Sequence, residues 1–395
     1  MRFKLNKLKQ AFLAILLLEI FLGGSGRMIE IGSLTVRMYF FIIGLTISLV
    51  ILFYQRKISQ NVIVIALIAL ISILFSSVIG WVNNASLELI ALDIKPLLFI
   101  LFIISASAFV SSFDDVVFVG KLLKFSAATL SVLYLGTLCL LYFGYINFQY
   151  FWHATYDYHE FFFRGEKGFF TYKGFIYMGV GFIFWERLTP RGTRKAVYLF
   201  IISLAIILTG TRGFLLSLGI IYFFYLVVPK VLRGKIFYLI GLVIFGLFAI
   251  YFIGNTNLGD KAVSDLIRFK QLQDVIYSID LMSAFIGHGF GVGVPSRPIH
   301  MEVAYLEIFH KQGLIGVCLW AILISYIVVQ YFNIKKKKKY AEPFILSTFF
   351  VLILSFTNPY INNPIGLTVI ILTVIAFNVI NKCEANEDIC MSSDL

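Results

Sequence analysis

The residues best suited to polar chemistry lie in one stretch of an otherwise apolar chain, between residues 255 and 313. The stretch gathers arginine, histidine and glutamate side chains: Arg268, His288, Arg297, His300, Glu302, Glu307 and His310. Arginine offers a planar fork of donors that matches phosphate, whereas histidine and glutamate can accept and release protons. A membrane-embedded chain has little reason to collect these groups in a long loop unless the loop handles a polar substrate. We therefore predict that the chemistry takes place in this loop.

His300 and Glu302 are the two candidates for a general base. Histidine titrates near neutral pH without help, whereas a glutamate must be buried before its pKa rises from about 4.3 toward neutrality. The residue types leave the choice between them open. No metal-ligand spacing occurs in the sequence, so we expect neither a metal nor another cofactor.

The segment before these two residues predicts a tight turn and then a helix. Glycines at positions 287, 289, 291 and 293 could be mistaken for a nucleotide fingerprint, but no strand–helix–strand unit surrounds them. Glycine readily adopts the positive φ of a tight turn. Ser296, between two prolines, predicts the N-cap of the next helix. A helix running from His300 would place on one face His300, Glu307 and His310, and on another Glu302 and Tyr305.

Composition assigns the chain to the polytopic membrane proteins. Hydrophobic residues make up 60% of it and charged residues 14%, which is outside the range of soluble domains. A transmembrane helix needs about 20 apolar residues. We therefore predict an all-α polytopic membrane protein, one integral domain over residues 1–395. Its predicted helices number about twelve, at residues 10–26, 36–54, 61–81, 95–111, 122–144, 170–187, 197–211, 213–229, 236–253, 314–334, 341–357 and 364–381.

The distribution of charge predicts which side each connection faces. Most of the 33 lysines and arginines fall on one side when the connections alternate, and this side is the cytoplasmic one. Both termini then lie in the cytoplasm, and all five histidines lie outside. The lysine run at 335–339 directly follows an apolar segment, which is typical of a topology anchor. We expect membrane lipids as partners and no nucleic acid.

Two outer loops are long, at residues 145–170 and 255–313, and the second connects the ninth and tenth predicted helices. The first loop contains Arg164 and many aromatic residues, which form either a belt at the membrane interface or a platform on which sugar rings stack. The second loop is predicted to be largely helical. Within it, residues 260–282 have apolar side chains at helical spacing, which predicts a helix on the outer interface carrying Arg268 at the height of lipid phosphates.

Arg212 is another residue suited to phosphate. It lies in the outer turn Thr209-Gly210-Thr211-Arg212-Gly213, where the N-terminus of the next helix adds backbone N–H groups and a favourable dipole for an anion. A lone arginine at the end of a membrane helix is commonly a snorkelling anchor. The short glycine-flanked turn and the second arginine in the next outer loop favour a phosphate site.

These motifs together resemble a known family. The motifs are the turn around Arg212, the outer loop with Arg268, the run Ile286-Gly-His-Gly-Phe-Gly, the segment from His300 to Glu307 and Gly313-Leu-Ile-Gly316. Together they are similar to the O-antigen polymerase and O-antigen ligase superfamily of bacterial surface glycan assembly. The matching motifs cover about residues 196–320, and the predicted topology extends the resemblance over the whole chain.

The resemblance implies a metal-independent glycosyltransferase of the GT-C type, acting at the periplasmic face of the bacterial inner membrane. Its donor would be a glycan on undecaprenyl diphosphate. Arg212 and Arg268 match the arginines expected to hold the diphosphate. His300 matches the histidine of the ligases, which would be a general base or position the acceptor, but Met301 stands where ligases often have asparagine. Further candidates for substrate contact are Arg164, Arg297, His288 and Tyr305.

Three functions fit these expectations. The first is a polymerase that joins lipid-linked repeat units into O-antigen or capsule, for which the resemblance also implies a chain-length regulator as partner. The second is a ligase that moves finished glycan from the lipid carrier to lipid A core. The third is a flippase or transporter with twelve spans. The transporter is disfavoured, because the halves show no evident repeat and the largest insertion lies outside, between spans nine and ten. Met301 disfavours the ligase, so we favour the polymerase.

Overall fold

The computed structural model describes residues 2–31, 34–55, 59–164, 169–231 and 261–385. The described chain is mainly helical, with two short hairpins. Its first half contains α1 (Arg2–Leu22), β1 (Glu30–Ile31), β2 (Leu34–Thr35), α2 (Val36–Gln55), α3 (Gln60–Val82), α4 (Leu87–Leu97), α5 (Phe102–Phe109), α6 (Phe113–Tyr142), α7 (Phe148–Tyr156), β3 (Phe161–Arg164) and β4 (Phe169–Tyr172). Its second half contains α8 (Ile176–Leu188), α9 (Thr193–Leu208), α10 (Arg212–Val231), α11 (Lys261–Ser278), α12 (Leu281–Ile286), α13 (Ala304–Asn333), α14 (Lys338–Leu354) and α15 (Pro364–Ala385).

The prediction of a helical membrane protein is confirmed. Within the described ranges, five segments are long and apolar enough to cross a membrane: Gln60–Val82, Leu87–Phe109, Phe113–Tyr142, Ala304–Asn333 and Pro364–Ala385. Shorter apolar helices are Val36–Leu52 and Arg212–Val227. The predicted span at 236–253 and the first residues of the large loop, 255–260, lie outside the described residues. The number of twelve spans stays a prediction.

Several predicted spans have different boundaries in the structure, and two of these differences change the kind of element. The segment 170–187 begins in strand β4, which pairs antiparallel with β3, and its helix α8 has 13 residues. A helix of this length covers about 20 Å, less than the hydrocarbon thickness. The segment 314–334 belongs to a helix that begins at Ala304 and is kinked at Gly313, where φ is 62°. Neither hairpin was expected from the apolar pattern, because a strand of two to four residues is too short to show an alternation.

The interior of the bundle is formed by α8 and α15, with α6 and α14 packed around them. Most residues of α8 are buried, and so is most of α15. Small residues allow close helix contact, as expected where lipid replaces water. A Cβ added at Gly181 of α8 would lie 2.2 Å from the Cβ of Ala127 in α6.

The glycine-rich segment forms the predicted tight turn and lies against the end of α3. Gly287, Gly289 and Gly291 all have positive φ. The Phe290 N–H donates to the Ser76 carbonyl at 2.9 Å, and the Phe290 ring packs in a small apolar cluster of α3 and α4. A Cβ added at Gly80 of α3 would lie 1.9 Å from the Phe290 carbonyl oxygen. Glycine at position 80 is therefore required for the loop to approach the helix.

We predict that Gly80→Ala destabilises the protein although alanine favours a helix. The added methyl group has no room against the Phe290 carbonyl, and overpacking typically costs about 1–3 kcal/mol. The matched control is Gly136→Ala in α6, where nothing lies within 4 Å of the new Cβ. The measurement is the thermal midpoint in detergent, followed by size-exclusion chromatography after heating. Equal midpoints for the two variants would contradict the close approach.

Candidate active site

The candidate site lies where the large loop meets one end of the helical bundle. It is built by α11, by the segment 287–303, by the first turns of α13 and by α4. The connection between α14 and α15, residues 355–363, closes it with Thr357 and Asn362, which contact Arg268 and Glu307 respectively. Residues far apart in the sequence thus share one polar region.

Glu302 lies between two arginine side chains. Its Oε1 accepts a hydrogen bond from Arg297 Nη2 at 2.6 Å, and its Oε2 is 3.3 Å from Arg268 Nε. Arg268 also donates to the Thr357 carbonyl at 3.3 Å. The side chains of Arg268, Arg297 and Glu302 are 28%, 41% and 26% exposed. Water therefore reaches this triad, so an external anion can compete with the Glu302 carboxylate for the guanidinium groups.

Helix α11 positions Arg268 on the face of the helix that packs against the protein. Arg268, Gln271 and Val275 follow one another at helical spacing on the face toward the protein, where the buried Gln271 side chain accepts the Glu302 backbone N–H at 3.0 Å. The opposite face exposes Leu266, Phe269, Ile276 and other apolar side chains. This is the pattern of a helix lying on a membrane interface, as the sequence predicts.

The predicted helix start at Ser296 is wrong. The helix begins at Ala304, and its N-cap is Val303. Residues 294–297 instead form a turn closed by backbone hydrogen bonds between Val294 and Arg297. The Ser296 N–H donates to Asp274 of α11 at 3.0 Å, and hydrogen bonds from Ser296 lower the pKa of the Asp274 carboxyl below its usual range. Position 296 therefore attaches the loop to α11.

His300 borders a buried cluster of charges. Its Nδ1 is 3.4 Å from Asp93 Oδ1 of α4 and 3.4 Å from Glu307 Oε1 of α13. The Lys311 ammonium group donates to the same two oxygens, at 2.7 and 2.8 Å, and to the Ile299 carbonyl at 2.7 Å. Asp93, Glu307 and Lys311 are 3–7% exposed, whereas His300 is 46% exposed. Three members of the cluster are therefore buried, and His300 is accessible to solvent.

The remaining carboxylate oxygens of the cluster also have partners. Asp93 Oδ2 accepts the Gly291 N–H at 2.7 Å, and Glu307 Oε2 accepts from Asn362 Nδ2 at 3.1 Å. Buried charges are tolerated when they are paired and hydrogen-bonded. The glycine turn, α4, α13 and the connection between α14 and α15 thus meet at one buried cluster.

Asp93, His300 and Glu307 are also the described residues whose ligand atoms lie close enough together, within 4.8 Å, to hold a metal ion. The Lys311 ammonium group already supplies a positive charge to both carboxylates at hydrogen-bond distance. The three side chains therefore have a partner that satisfies them without a metal. The expectation of no metal stays a prediction.

His310 and His288 form a separate pair. The prediction that His310 shares a face with His300 is wrong, because His300 lies in the extended segment before the helix. The His310 ring packs against the His288 ring with centroids 4.5 Å apart. The backbone N–H of His288 donates to the His310 carbonyl at 2.8 Å, and Asn83 Nδ2 donates to the His288 carbonyl. These contacts fix the glycine turn against α3 and α13.

Tyr305 packs into the bundle. Its hydroxyl donates to the Leu352 carbonyl at 2.7 Å, and its ring lies against Phe356 at 4.5 Å. These contacts join the first turn of α13 to the end of α14. A role of Tyr305 in binding substrate stays a prediction.

Arg212 is the first residue of α10 and is half-buried. A Cβ added at the adjacent Gly213 would lie 3.6 Å from Thr357 Oγ1, and Arg268 donates to the carbonyl of the same threonine. The chain next to Arg212 and the Arg268 guanidinium therefore both lie close to Thr357. The two arginines that the sequence predicts to act together lie at the same end of the bundle.

The first outer loop contains α7 and the hairpin β3–β4. Phe148, Phe151, Phe161, Phe163 and Phe170 pack against one another with ring centroids 5.3–6.1 Å apart. Tyr145 and Tyr150 are strongly exposed. An interfacial belt and a sugar platform both stay open for these exposed rings. Arg164 ends β3, and its side chain lies outside the described part of the structure.

Sequence reasoning missed Asp93, Gln271, Lys311 and Asn362. Asp93 carried a signal, because an ionisable residue inside an apolar segment is a functional candidate by default. Lys311 follows Glu307 by one helical turn, a spacing that supports an ion pair. Gln271 and Asn362 gave no such signal, since their partners depend on how distant segments pack.

The fold and the site define an integral membrane protein of many helices with a polar, partly exposed site at one end of the bundle. No protein-family model matches the chain. The chain is 28% identical over 379 residues to the O-antigen polymerase of Shigella flexneri, a match that covers 94% of this chain and 95% of that protein. The resemblance to O-antigen polymerases that the motifs indicate is confirmed, and it extends over almost the whole length.

We predict that Glu302→Gln strengthens the binding of inorganic pyrophosphate. The carboxylate competes for both arginines, and one charge-assisted hydrogen bond contributes about 1.5–3 kcal/mol, so the affinity should rise by about tenfold to 100-fold. The measurement is isothermal titration calorimetry on the purified protein in detergent.

Glu30→Gln is the matched control, because it changes the net charge equally at an exposed position of β1. Arg268→Ala should weaken the binding. An unchanged affinity in Glu302→Gln would show that the triad is not an anion site.

Proposed function

We propose that the protein is a polymerase that joins undecaprenyl-diphosphate-linked oligosaccharide repeat units into O-antigen or a related surface polysaccharide. The observation that carries this proposal is the similarity to the Shigella flexneri O-antigen polymerase over 94% of this chain. The match also covers 95% of that protein. A shared local motif would not produce such coverage.

In the proposed reaction a hydroxyl of the acceptor sugar attacks the anomeric carbon of the donor glycan, and the lipid diphosphate leaves. Negative charge develops on the leaving diphosphate, and Arg212 and Arg268 stabilise it electrostatically, a role in which one donor contributes about 3 kcal/mol. Arg297 extends the same cationic surface, since it shares Glu302 with Arg268. These guanidinium groups supply the positive charge that a metal would otherwise provide, which supports a metal-independent glycosyltransferase. The GT-C type is proposed on the resemblance.

His300 is the proposed general base. Its Nδ1 faces two carboxylates, and its side chain is 46% exposed, so a substrate hydroxyl can reach the ring. Both oxygens of Glu302, the other candidate, lie at guanidinium groups. In this proposal Glu302 therefore orients the two arginines, and His300 accepts the proton from the acceptor hydroxyl.

The site is proposed to face the periplasm, with both termini in the cytoplasm and the chain in the bacterial inner membrane. The distribution of lysine and arginine supports this orientation. The substrates are lipid-linked glycans within the same membrane, and a chain-length regulator is a proposed partner on the resemblance.

A ligase that transfers finished glycan to lipid A core is the second candidate function. The arginine sites would serve it equally, because its donor has the same lipid diphosphate. Met301, where ligases often have asparagine, favours the polymerase.

Deletion of the gene in its native host tests the proposed function, with surface and lipid-linked glycans separated by size. Loss of the long ladder, with single repeat units still reaching the surface, is the expected result. Long glycan retained on the lipid carrier would indicate a ligase. Absence of both the ladder and single repeat units from the surface would indicate a flippase, and an unchanged ladder would rule out the polymerase and the ligase.

We predict that Arg212→Lys and Arg268→Lys each lower polymerisation by about tenfold to 100-fold, because lysine keeps the charge but loses the planar fork of donors. The measurement is the ladder after complementation of the deletion, with protein levels checked by blotting. Arg191→Lys, at an exposed position after α8, is the control that should support a full ladder. Full ladders from both site variants would disprove the diphosphate clamp.

A further inference from the structure

The His300 ring is held at one nitrogen by two carboxylates from different parts of the chain. Asp93 Oδ1 comes from α4 and Glu307 Oε1 from α13, and each is 3.4 Å from His300 Nδ1. The two oxygens also accept hydrogen bonds from the Lys311 ammonium group. The four contacts therefore form a closed cycle, in which the two carboxylate oxygens alternate with His300 Nδ1 and Lys311 Nζ.

This arrangement determines which nitrogen of His300 carries the proton. An ionised carboxylate can only accept hydrogen bonds. Asp93 and Glu307 each accept a hydrogen bond from Lys311 and one from a further donor, the Gly291 N–H and Asn362 Nδ2 respectively. A lone pair on Nδ1 would repel these two anionic oxygens at 3.4 Å, so Nδ1 carries the hydrogen. In the neutral ring the lone pair is then on Nε2, the nitrogen that does not face the carboxylates.

We propose that Asp93 and Glu307 are positioning residues that hold His300 in the tautomer with Nδ1–H, so that Nε2 is the base for glycosyl transfer, and that Lys311 holds the two carboxylates together. This inference rests on the proposed function. The acceptor oxygen forms a bond to the donor anomeric carbon, and the bond from that carbon to the diphosphate oxygen breaks. The electron pair leaves with the diphosphate, and the hydroxyl proton moves to Nε2 and later to water.

Lys311 distinguishes this cluster from a simple acid–histidine pair. Without the ammonium group, two buried carboxylates would repel each other. With it, both oxygens stay within reach of Nδ1. Lys311 and Asp93 are separated by 218 residues, so the contact also fixes the large loop to a helix of the bundle.

The first test is nitrogen NMR of protein labelled with ¹⁵N in histidine and reconstituted in lipid. The His300 signals are assigned by their loss in His300→Gln. The expected result is a protonated Nδ1 and an unprotonated Nε2 in the wild type, with a shift toward the opposite tautomer in Asp93→Asn and Glu307→Gln. A wild-type ring protonated at Nε2, or signals that do not respond to either variant, would overturn the positioning role.

The second test is polymerisation of lipid-linked repeat units by the same purified proteins. We expect kcat to fall by about tenfold in each carboxylate variant and by about 100-fold in His300→Gln, with KM little changed. Asp115→Asn is the matched control, because it removes a buried carboxylate from another lysine pair, Lys9–Asp115 at 3.0 Å. It should leave both kcat and the His300 signals unchanged.

The two tests separate failure of this inference from failure of the proposed function. If the wild type does not polymerise repeat units, the proposed function fails, and the base role of His300 fails with it. The NMR measurement of the tautomer then still tests whether Asp93 and Glu307 position the His300 ring. If the wild type polymerises but His300→Gln does so at the same rate, the base role is overturned and the function stands. Loss of kcat without a change in tautomer would show that Asp93 and Glu307 act through the fold.

Discussion

The pairing of the buried Lys311 ammonium group with Asp93 and Glu307 is the interaction on which the candidate site depends. Removing one partner of a buried ion pair typically costs about 3–5 kcal/mol of stability. Here the pair lies where four segments of the chain meet. α4 contributes Asp93, α13 contributes Glu307 and Lys311, the glycine turn bonds Asp93 through Gly291, and the connection after α14 bonds Glu307 through Asn362. The long loop is thereby part of the bundle.

The glycine turn makes this junction geometrically attainable. The backbone at Gly289 and Phe290 reaches the surface of α3 at Gly80, where side chains on either partner would clash. The kink at Gly313 lies on the other side of the turn, since a Cβ there would meet the Phe285 carbonyl and the Gly287 nitrogen. Close backbone contact therefore orients the start of α13 toward α4. The ion pair and the glycines depend on each other.

The sequence predicts what local patterns determine. Apolar runs predict most helices of the bundle, helical spacing predicts α11, and the alternating glycines predict the tight turn. The start of α13 was placed at Ser296 because its capping signal is strong locally, whereas Asp274 binds that residue from a distant helix. Asp93 and Lys311 could not be paired from the sequence, since 218 residues separate them. Long-range packing decides the contacts of the site, and the arginines and His300 were found because their chemistry is visible in the residue types.

The site contains two clusters of ion pairs, one partly exposed to solvent and one buried. This difference in exposure suits them to different tasks. Arg268, Glu302 and Arg297 are partly exposed, so in the proposed reaction an arriving diphosphate replaces the carboxylate and later leaves. Asp93, Lys311 and Glu307 are buried, so in the same proposal they hold His300 without binding a ligand themselves. His300 is the group that connects the buried set to the solvent. A polymerase that repeats one transfer many times needs both properties, an exchangeable anion site and a base whose orientation does not change between cycles.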